Sequence, residues 1–503
     1  MYLLGYDIGT SSIKATLMDS QTQQVKASAT CPAREMEIIA EKSGWAEQHP
    51  ETWWQNVKAA TAGILATGDI DPADIAAIGI TYQMHGLVCV DEDKNVLRPS
   101  IIWCDSRAVE YGKRCAEETG PEKCLRQLLN YPGNFTATKL KWVKENEPDI
   151  YKRIDKIMLP GDYIAMKMTD RIVTTVSGLS EGIFWDFKNS KVADIVLDNL
   201  GISGDLLAGA LDTFSDQGQL TKAAAAELGL KAGTKIAYRA GDQPNNAFSL
   251  NVLSPGEIAA TAGTSGVVYG IGDKPNYDPQ SRVNTFVHVN NTAETHRYGV
   301  LLCLNGTGIL NSWLKHNIAK AGEDYEQMNE QAATVPVGSD GLAILPFGNG
   351  AERTLENNDI GASICNMNFN THTKAHLLRA AQEGIVFALN YGLDIMRDMG
   401  IEIKTVRAGS ANMFLSPLFA SAFATVTGAG VELYNTDGSQ GAARGAGVGA
   451  GVYKNFAEAF GGLKKTETIE PDESLKTQYQ DAYARWRNIL ENQLNRQGLS
   501  RRL

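Results

Sequence analysis

Two short loops in this sequence carry the residue types that bind phosphate. The first reads Asp7-Ile8-Gly9-Thr10-Ser11-Ser12-Ile13-Lys14. Its glycine allows the backbone to approach a ligand closely, and the hydroxyl and amide groups that follow can point at phosphate oxygens. Asp7 stands at a predicted strand end, where a carboxylate can hold Mg2+ through water. An ordinary hairpin turn is the alternative interpretation of this loop taken alone.

The second loop, Gly263-Thr264-Ser265, follows the apolar run 257–262 and precedes a further apolar run that starts at Val267. Both loops have the order strand, Gly-Thr-Ser, strand, which predicts two domains of related design that face a shared cleft. A chance match between two glycine-rich turns is the alternative. The P-loop pattern Gly-x-x-x-x-Gly-Lys-Ser/Thr does not occur, which excludes the commonest NTPase architecture.

Acid–base and binding groups occur at predicted strand ends. Asp242 follows Gly241 at a strand-to-helix transition, where an aspartate can accept a proton in phosphoryl transfer or simply cap the helix. Met84 and His85 come just after a buried strand, and open α/β sheets bind ligands beyond strand ends. A lone histidine is usually structural, so a structural role for His85 is the alternative.

Two pairs of side chains allow a simpler interpretation. Asp105 and Arg107 can shape a binding pocket or form a structural salt bridge. His372 and His376 are four residues apart, as zinc ligands on a helix are, but no third ligand accompanies them. We interpret this histidine pair as the solvated start of a helix.

The elements that must position these groups alternate between strand and helix patterns, which predicts an α/β fold. Three strands open the chain and form a meander, and a helix and another strand follow them. In the second half, apolar periodicity predicts two further helices, a small-residue helix and a polar surface helix at the tail. The predicted bounds are strands at 3–7, 13–18, 25–30 and 75–82 and helices at 50–66, 374–399, 415–426, 438–451 and 472–503.

Length and composition limit the classes of protein that fit. A chain of 503 residues is too long for one core, so we predict domains at 1–252 and 253–503. The formal net charge of -11 and the lack of a basic block argue against a nucleic-acid partner. No signal peptide or membrane-length apolar run is present, and the seven cysteines include no Cys-x-x-Cys pair. We therefore expect a cytoplasmic protein with reduced thiols and no membrane contact.

Taken together and in order, these motifs resemble those of the FGGY carbohydrate kinases, a family within the actin/Hsp70/hexokinase superfamily. The resemblance covers essentially the whole chain. It implies two RNase H-like domains with an active-site cleft between them. The segments that carry it are 7–10, 44–48, 53–54, 83–86, 97–99, 102–107, 139–142, 162–163, 241–242, 263–265 and 383–389.

The resemblance also implies roles for individual residues. Asp242 would be the catalytic base, and Asp7 would bind the Mg2+ that accompanies ATP. The sugar would contact Gln83, Met84, His85, Trp103, Asp105, Asp242 and Gln243. ATP would contact Thr10, Ser11, Ser12, Gly263, Thr264, Gly308, Gly409 and Asn412. Members of the family are often homodimers, so a homodimer is expected as well.

The activity implied is ATP-dependent phosphorylation of a ketose, with D-xylulose converted to D-xylulose 5-phosphate as the leading expectation. Two segments depart from the usual pattern: Arg407-Ala408-Gly409 contains less glycine, and Gln243-Pro244 follows the catalytic aspartate. A kinase for ribulose, fuculose, rhamnulose or a polyol is therefore an alternative. A nucleotide-binding regulatory protein of the same fold is another, although it would not need Asp242 as a base.

Overall fold

The computed structural model describes residues 1–496 and consists of two halves, each built on one large sheet. The strands of the first half are β1 Tyr2–Ile8, β2 Ile13–Asp19, β3 Val25–Cys31, β4 Glu47–Gln48, β5 Ile75–Tyr82, β6 Val88–Val90, β7 Ser100–Ile101, β8 Lys156–Met158, β9 Val173–Thr175, β10 Trp185–Asp186, β11 Lys191–Val192, β12 Gly209–Leu211 and β13 Lys235–Gly241. Its helices are α1 Pro50–Leu65, α2 Val109–Thr119, α3 Pro121–Leu128, α4 Thr136–Asn146, α5 Pro148–Tyr151, α6 Pro160–Thr169, α7 Val176–Glu181, α8 Asp194–Leu200, α9 Lys222–Leu228 and α10 Asp242–Ser249.

The second half contains the remaining elements. Its strands are β14 Glu257–Ala262, β15 Gly266–Gly272, β16 Asn284–Val287, β17 Tyr298–Leu304, β18 Ala343–Phe347, β19 Gly361–Cys365, β20 Thr405–Gly409, β21 Gly430–Tyr434 and β22 Lys465–Ile469. Its helices are α11 Gly308–Asn317, α12 Tyr325–Ala333, α13 Lys374–Asp398, α14 Pro417–Thr427, α15 Gly438–Gly449, α16 Phe456–Ala459 and α17 Lys476–Arg496. Short 3₁₀ turns occur at Pro72–Asp74, Gly204–Leu206, Ser339–Gly341, Glu352–Leu355 and Asn412–Leu415.

The two large sheets share one strand plan. The first has the order β13-β5-β1-β2-β3, with β1 antiparallel to β2 and parallel to β5. The second has the order β16-β17-β15-β14-β20-β21-β22, with β14 antiparallel to β15 and parallel to β20. Each Gly-Thr-Ser loop therefore joins the central strand of its sheet to the next strand. This arrangement confirms the predicted α/β fold of two related domains.

Helix α15 belongs to the second half of the sequence but packs on the sheet of the first half. The close packing depends on glycine: a Cβ on Gly5 would lie 1.9 Å from the Ser439 carbonyl oxygen, and one on Gly79 would lie 2.0 Å from that of Ala442. The Ser439 hydroxyl also bonds that of Thr16, at 2.7 Å. The division predicted at residue 252 falls between α10 and β14 and stays a prediction, because α15 returns to the first sheet.

The carboxyl-terminal helix differs from its prediction as a surface element. Tyr479, Ala482, Trp486 and Leu490 of α17 are buried in the core of the second half, and the Trp486 indole donates to the Ile344 carbonyl at 2.8 Å. The segment is polar in overall composition, but these four residues form one apolar stripe along the helix. Residues 497–503 of the predicted helix lie outside the described residues. None of the helices within residues 1–496 has the length and apolar character that a membrane crossing requires.

Candidate active site

Asp242 is the first residue of α10, directly after β13, and its side chain is half-buried. Burial raises the pKa of Asp242 to about 7, and the negative charge of Asp7 adds to this, whereas hydrogen bonds from Gln243 oppose it. A carboxylate whose pKa lies close to neutrality is suited to accept a proton from an alcohol. The arrangement can therefore support general-base chemistry.

Asp7, near the end of β1, lies where the two halves meet. Burial raises the pKa of Asp7 to about 6, and Asp437 adds to this while Lys14 opposes it. Asp437 caps α15 and pairs with the Lys14 ammonium at 2.7 Å. A Cβ on Gly438 would lie 2.4 Å from the Asp7 carboxylate, so glycine makes room for this group.

These surroundings fit a hydrated Mg2+ ion. Carboxylate oxygens are the side-chain ligands that Mg2+ prefers, and a divalent cation would offset the repulsion between Asp7 and its acidic neighbours. Within residues 1–496, no group of three or more His, Cys, Asp or Glu side chains is arranged to hold a metal ion. Asp7 would therefore supply one ligand, and water and phosphate oxygens would supply the others.

The first Gly-Thr-Ser loop is held by a chain of side-chain hydrogen bonds. The Trp103 indole donates to the Thr10 hydroxyl at 3.0 Å, and that hydroxyl donates to the Gln83 side-chain oxygen at 3.1 Å. The Gln48 amide donates to the Thr10 carbonyl at 2.8 Å. Gln83 is buried and its side chain is used in this chain of bonds, so its predicted sugar contact stays a prediction. Ser11 and Ser12 complete the turn between β1 and β2.

The second Gly-Thr-Ser loop joins β14 to β15 and contacts the start of α11. The Gly308 amide donates to the Gly263 carbonyl at 2.8 Å, and the buried Thr307 hydroxyl donates to the same oxygen at 2.9 Å. A Cβ on Gly263 would lie 3.4 Å from the Asn412 side-chain nitrogen. The structure thus brings Gly263, Thr264, Gly308 and Asn412 together, and Gly409 ends the neighbouring strand β20.

His85 follows β5 in a left-handed backbone conformation, with φ at 60°. Such a φ is uncommon for a residue other than glycine and is typical of functional sites. The Nδ1 atom lies 2.7 Å from the Glu181 carbonyl oxygen. Burial lowers the pKa of His85 to about 3, and the cations Lys139 and Arg353 contribute. The ring is therefore neutral, Nδ1 is the donor and Nε2 is left as an acceptor.

Two cations beside His85 were not assigned a role from the sequence. Lys139 of α4 is fully buried and donates to the His85 carbonyl at 2.8 Å, and burial lowers its pKa to about 7. Arg353 comes from the second half and lies 5.1 Å from the ring of Phe135, which in turn contacts the His85 ring edge-on at 5.1 Å. Lys139 lies in segment 139–142, one of those that carry the family resemblance, but no role was derived for it, and Arg353 gave no signal in the sequence.

Asp105 and Arg107 form the predicted pair, with their closest contact at 2.7 Å. The Asp105 side chain is fully buried, and it also accepts from the Ala46 amide at 2.6 Å. The carboxylate thus shapes the loop around Trp103 and leaves no exposed surface for a sugar, so its predicted sugar contact stays a prediction. Trp103 itself is 41% exposed.

The histidine pair near the start of α13 has a structural role. The rings of His372 and His376 lie 5.3 Å apart, the His376 Nδ1 atom accepts from the Thr373 amide at 3.2 Å, and its Nε2 atom faces Asp340 at 3.1 Å. These contacts cap the helix at the surface, as the interpretation from sequence expected.

Comparisons with known proteins agree with this geometry. Residues 2–249 match the model of the FGGY family of carbohydrate kinases, N-terminal domain, and residues 258–452 match that of the C-terminal domain. The chain is 29% identical over 500 residues to xylulose kinase of Bacillus subtilis (strain 168), with 97% of this chain and 96% of the relative covered. It is also 29% identical over 508 residues to L-xylulose/3-keto-L-gulonate kinase of Escherichia coli (strain K12), with 97% and 96% covered.

A solved structure gives the same result. The crystal structure of xylulose kinase from Rhodospirillum rubrum aligns with a TM-score of 0.88 at 26% identity and covers 98% of this chain and 99% of that one. The matched residues include the segments that carry Asp7, Asp242 and Thr264. The chain therefore belongs to the FGGY family of carbohydrate kinases and is an ATP-dependent sugar kinase.

Proposed function

We propose that this kinase phosphorylates the terminal hydroxyl of a small ketose, with D-xylulose as the first candidate and Asp242 as the general base. The observation that carries the proposal is the place of Asp242 in the fold. It directly follows Gly241, on which Met84 packs, and its carboxylate is close enough to Asp7 for that charge to raise its pKa. The reacting hydroxyl and the γ-phosphate would meet beside this carboxylate.

In the reaction, the Asp242 carboxylate accepts the hydroxyl proton while the sugar oxygen forms a bond to the γ-phosphorus. The bond from that phosphorus to the oxygen of ADP breaks, and the proton stays on Asp242. The neutral His85 accepts a hydrogen bond from a sugar hydroxyl at Nε2, and Trp103, Met84 and Gln243 line the site. Asp7 would hold Mg2+, which would neutralise charge on the phosphates when bound.

ATP would lie between the two Gly-Thr-Ser loops. Thr10, Ser11 and Ser12 face the phosphates from the first half, and Gly263, Thr264 and Gly308 face them from the second. Gly409 and Asn412 approach the adenosine. A regulatory nucleotide-binding protein would need neither Asp242 as a base nor a histidine kept neutral as an acceptor.

The substrate assignment rests on similarity to proteins named xylulose kinase. Two observations favour another ketose as a second candidate. Gln243-Pro244 follows the catalytic aspartate, and a relative with the same 29% identity is named for L-xylulose and 3-keto-L-gulonate. Ribulose, fuculose and rhamnulose therefore belong in any test. A cytoplasmic location and a homodimer are part of the proposal as well.

The first experiment is a substrate panel. We expect Mg2+-dependent ADP release to be highest with D-xylulose, measured as kcat/KM against L-xylulose, 3-keto-L-gulonate, the other ketoses, polyols and glycerol. A reaction without sugar is the control for ATP hydrolysis. Preference for another member of the panel would change the substrate assignment and leave the proposed mechanism intact. ADP release that no sugar stimulates would contradict the proposal.

The pH dependence is a second expected result. Because the base acts only when ionised and its pKa is raised to about 7, kcat/KM should fall as pH drops below about 7 and level off above it. The measurement is kcat/KM from pH 5 to 9 at subsaturating sugar and ATP, with enzyme stability checked at each pH. A rate that stays level down to pH 5 would contradict a base with a raised pKa.

A further inference from the structure

Glu181 is a buried carboxyl group beside the reacting groups that the mechanism above does not use. It is the last residue of α7, its exposure is 1%, and neither carboxyl oxygen makes a close, well-aligned hydrogen bond, although the Tyr82 hydroxyl and the His85 backbone amide lie beside it. A buried carboxyl group with such weak hydrogen bonds is costly, because burial removes the water that would solvate it. Its retention therefore calls for a physical explanation.

The Glu181 side chain lies against the backbone that presents the catalytic base. A Cβ on Gly241 would lie 2.4 Å from the Glu181 Oε2 atom and 2.6 Å from the Met84 Cγ atom. Glu181 and Met84 thus pack side by side on the residue that directly precedes Asp242. A movement of this carboxyl group would therefore displace both Met84 and the backbone that carries Asp242.

The main chain of Glu181 orients His85, which also belongs to the candidate active site. Its carbonyl oxygen accepts from His85 Nδ1 at 2.7 Å, which fixes the tautomer and leaves Nε2 as the acceptor. One residue therefore contacts His85 through its backbone and Gly241 through its side chain, beside Met84. Glu181 thus joins the loop that carries His85 to the strand end that precedes Asp242.

The surroundings favour the uncharged form of the carboxyl group. Burial raises the pKa of Glu181 well above its usual value, and the negative charges of Asp162 and Asp242 add to this, whereas hydrogen bonds from the His85 backbone and the Tyr82 hydroxyl oppose it. Asp162 is itself paired with Arg239 of β13 at 2.9 Å. The titratable and charged groups around the Glu181 carboxyl group, from α6, α10, β5, β13 and β15, are Asp162, Asp242, Tyr82, Arg239 and Tyr269.

We propose that Glu181 is a positioning residue for the reaction, because its buried side chain fixes Met84 and the Gly241–Asp242 backbone while its carbonyl orients His85. It touches no reacting atom. An uncharged carboxylic acid fills this position without adding a second negative charge to that of the ionised Asp242. The inference rests on the proposed function, in which Asp242 is the base.

Glu181→Ala is the first test. We expect kcat to fall about 10- to 100-fold, since small displacements of a catalytic group have effects of this size, while KM for ATP changes less than about twofold. Water entering the vacated space would lower the pKa of Asp242, so the acidic limb of kcat/KM should move to lower pH. If this variant does not fold, Glu181→Asp withdraws the carboxyl group from Gly241 and carries the same expectation for kcat.

Glu181→Gln keeps the shape of the side chain but cannot ionise, and it should restore most of the kcat lost in Glu181→Ala. The pH at which its kcat/KM falls on the acidic side should be the same as in the wild type. A fall at lower pH in Glu181→Gln would mean that the native side chain is ionised and would overturn the inference. Glu383→Gln, which alters a buried carboxyl group of the second half, is the matched control and should leave the limb in place.

Asp242→Asn measured in parallel separates the two proposals. Substantial turnover in that variant would overturn Asp242 as the base, and the inference with it. A different result would overturn only the inference about Glu181. In that case Asp242→Asn would lose turnover, whereas Glu181→Ala would keep the wild-type kcat and the wild-type pH dependence of kcat/KM.

Discussion

Asp242→Asn is expected to lower kcat by about 10³-fold while the sugar binds with nearly its wild-type affinity. A positioned general base contributes on the order of 10²- to 10⁴-fold, and asparagine cannot accept the proton although it keeps the size and hydrogen-bonding shape of the side chain. The repulsion between Asp242 and Asp7 also disappears, so sugar binding should not weaken. Single-turnover product formation and calorimetric sugar binding measure the two quantities separately.

A second buried aspartate supplies the control. Asp278 is 3% exposed and pairs with Arg282 of the second half at 2.7 Å. It belongs to neither Gly-Thr-Ser loop. Asp278→Asn should change stability and leave kcat close to that of the wild type. If Asp242→Asn retained kcat within about tenfold of the wild type, another group would have to take the proton.

Asp162→Ala is expected to reduce the free energy of unfolding by about 3–5 kcal/mol, because it leaves a fully buried guanidinium without its counter-charge. Arg239 is 0% exposed and Asp162 is 2% exposed, with the Arg239 Nε atom 2.9 Å from the Asp162 carboxylate. The same carboxylate accepts from the Leu159 amide at the start of α6. Urea unfolding followed by tryptophan fluorescence gives the difference.

Glu122→Ala is the matched control for this loss. Glu122 pairs with Arg126 on the surface of α3, where both side chains are mostly exposed. Solvent screens such a pair, so its removal should change stability far less. Equal losses in the two variants would contradict a special role for the buried pair.

Local patterns explain why much of the fold could be predicted from the sequence. Strand β5 was predicted at its observed bounds, and the start of α13 was predicted at Lys374, because apolar alternation and helical periodicity act over a few neighbouring residues. The two Gly-Thr-Ser loops were predictable for the same reason. Each is a short motif between apolar strands, and the strand order of each sheet places it beside the central strand.

The rest depended on contacts between distant residues. Lys14 and Asp437 are 423 residues apart in the chain, so no local pattern relates them. In the sequence, Glu181 is indistinguishable from an ordinary helix residue, and only the structure shows its side chain against Gly241. The apolar stripe of α17 is diluted by polar neighbours, and only its packing on β18 identifies Trp486 as a core residue.

The placement of α15 has a consequence for synthesis on the ribosome. When β13 has emerged, all five strands of the first sheet exist, but the helix that covers Gly5 and Gly79 has not yet been translated. At typical rates of about 5–20 residues per second, its arrival takes roughly 10–40 seconds more. During that interval the nascent sheet exposes an apolar face that includes Leu3, Ala77 and Ala237. A transcript truncated before codon 438 would leave this face open permanently, so the first half is not expected to be recovered as a stable fragment.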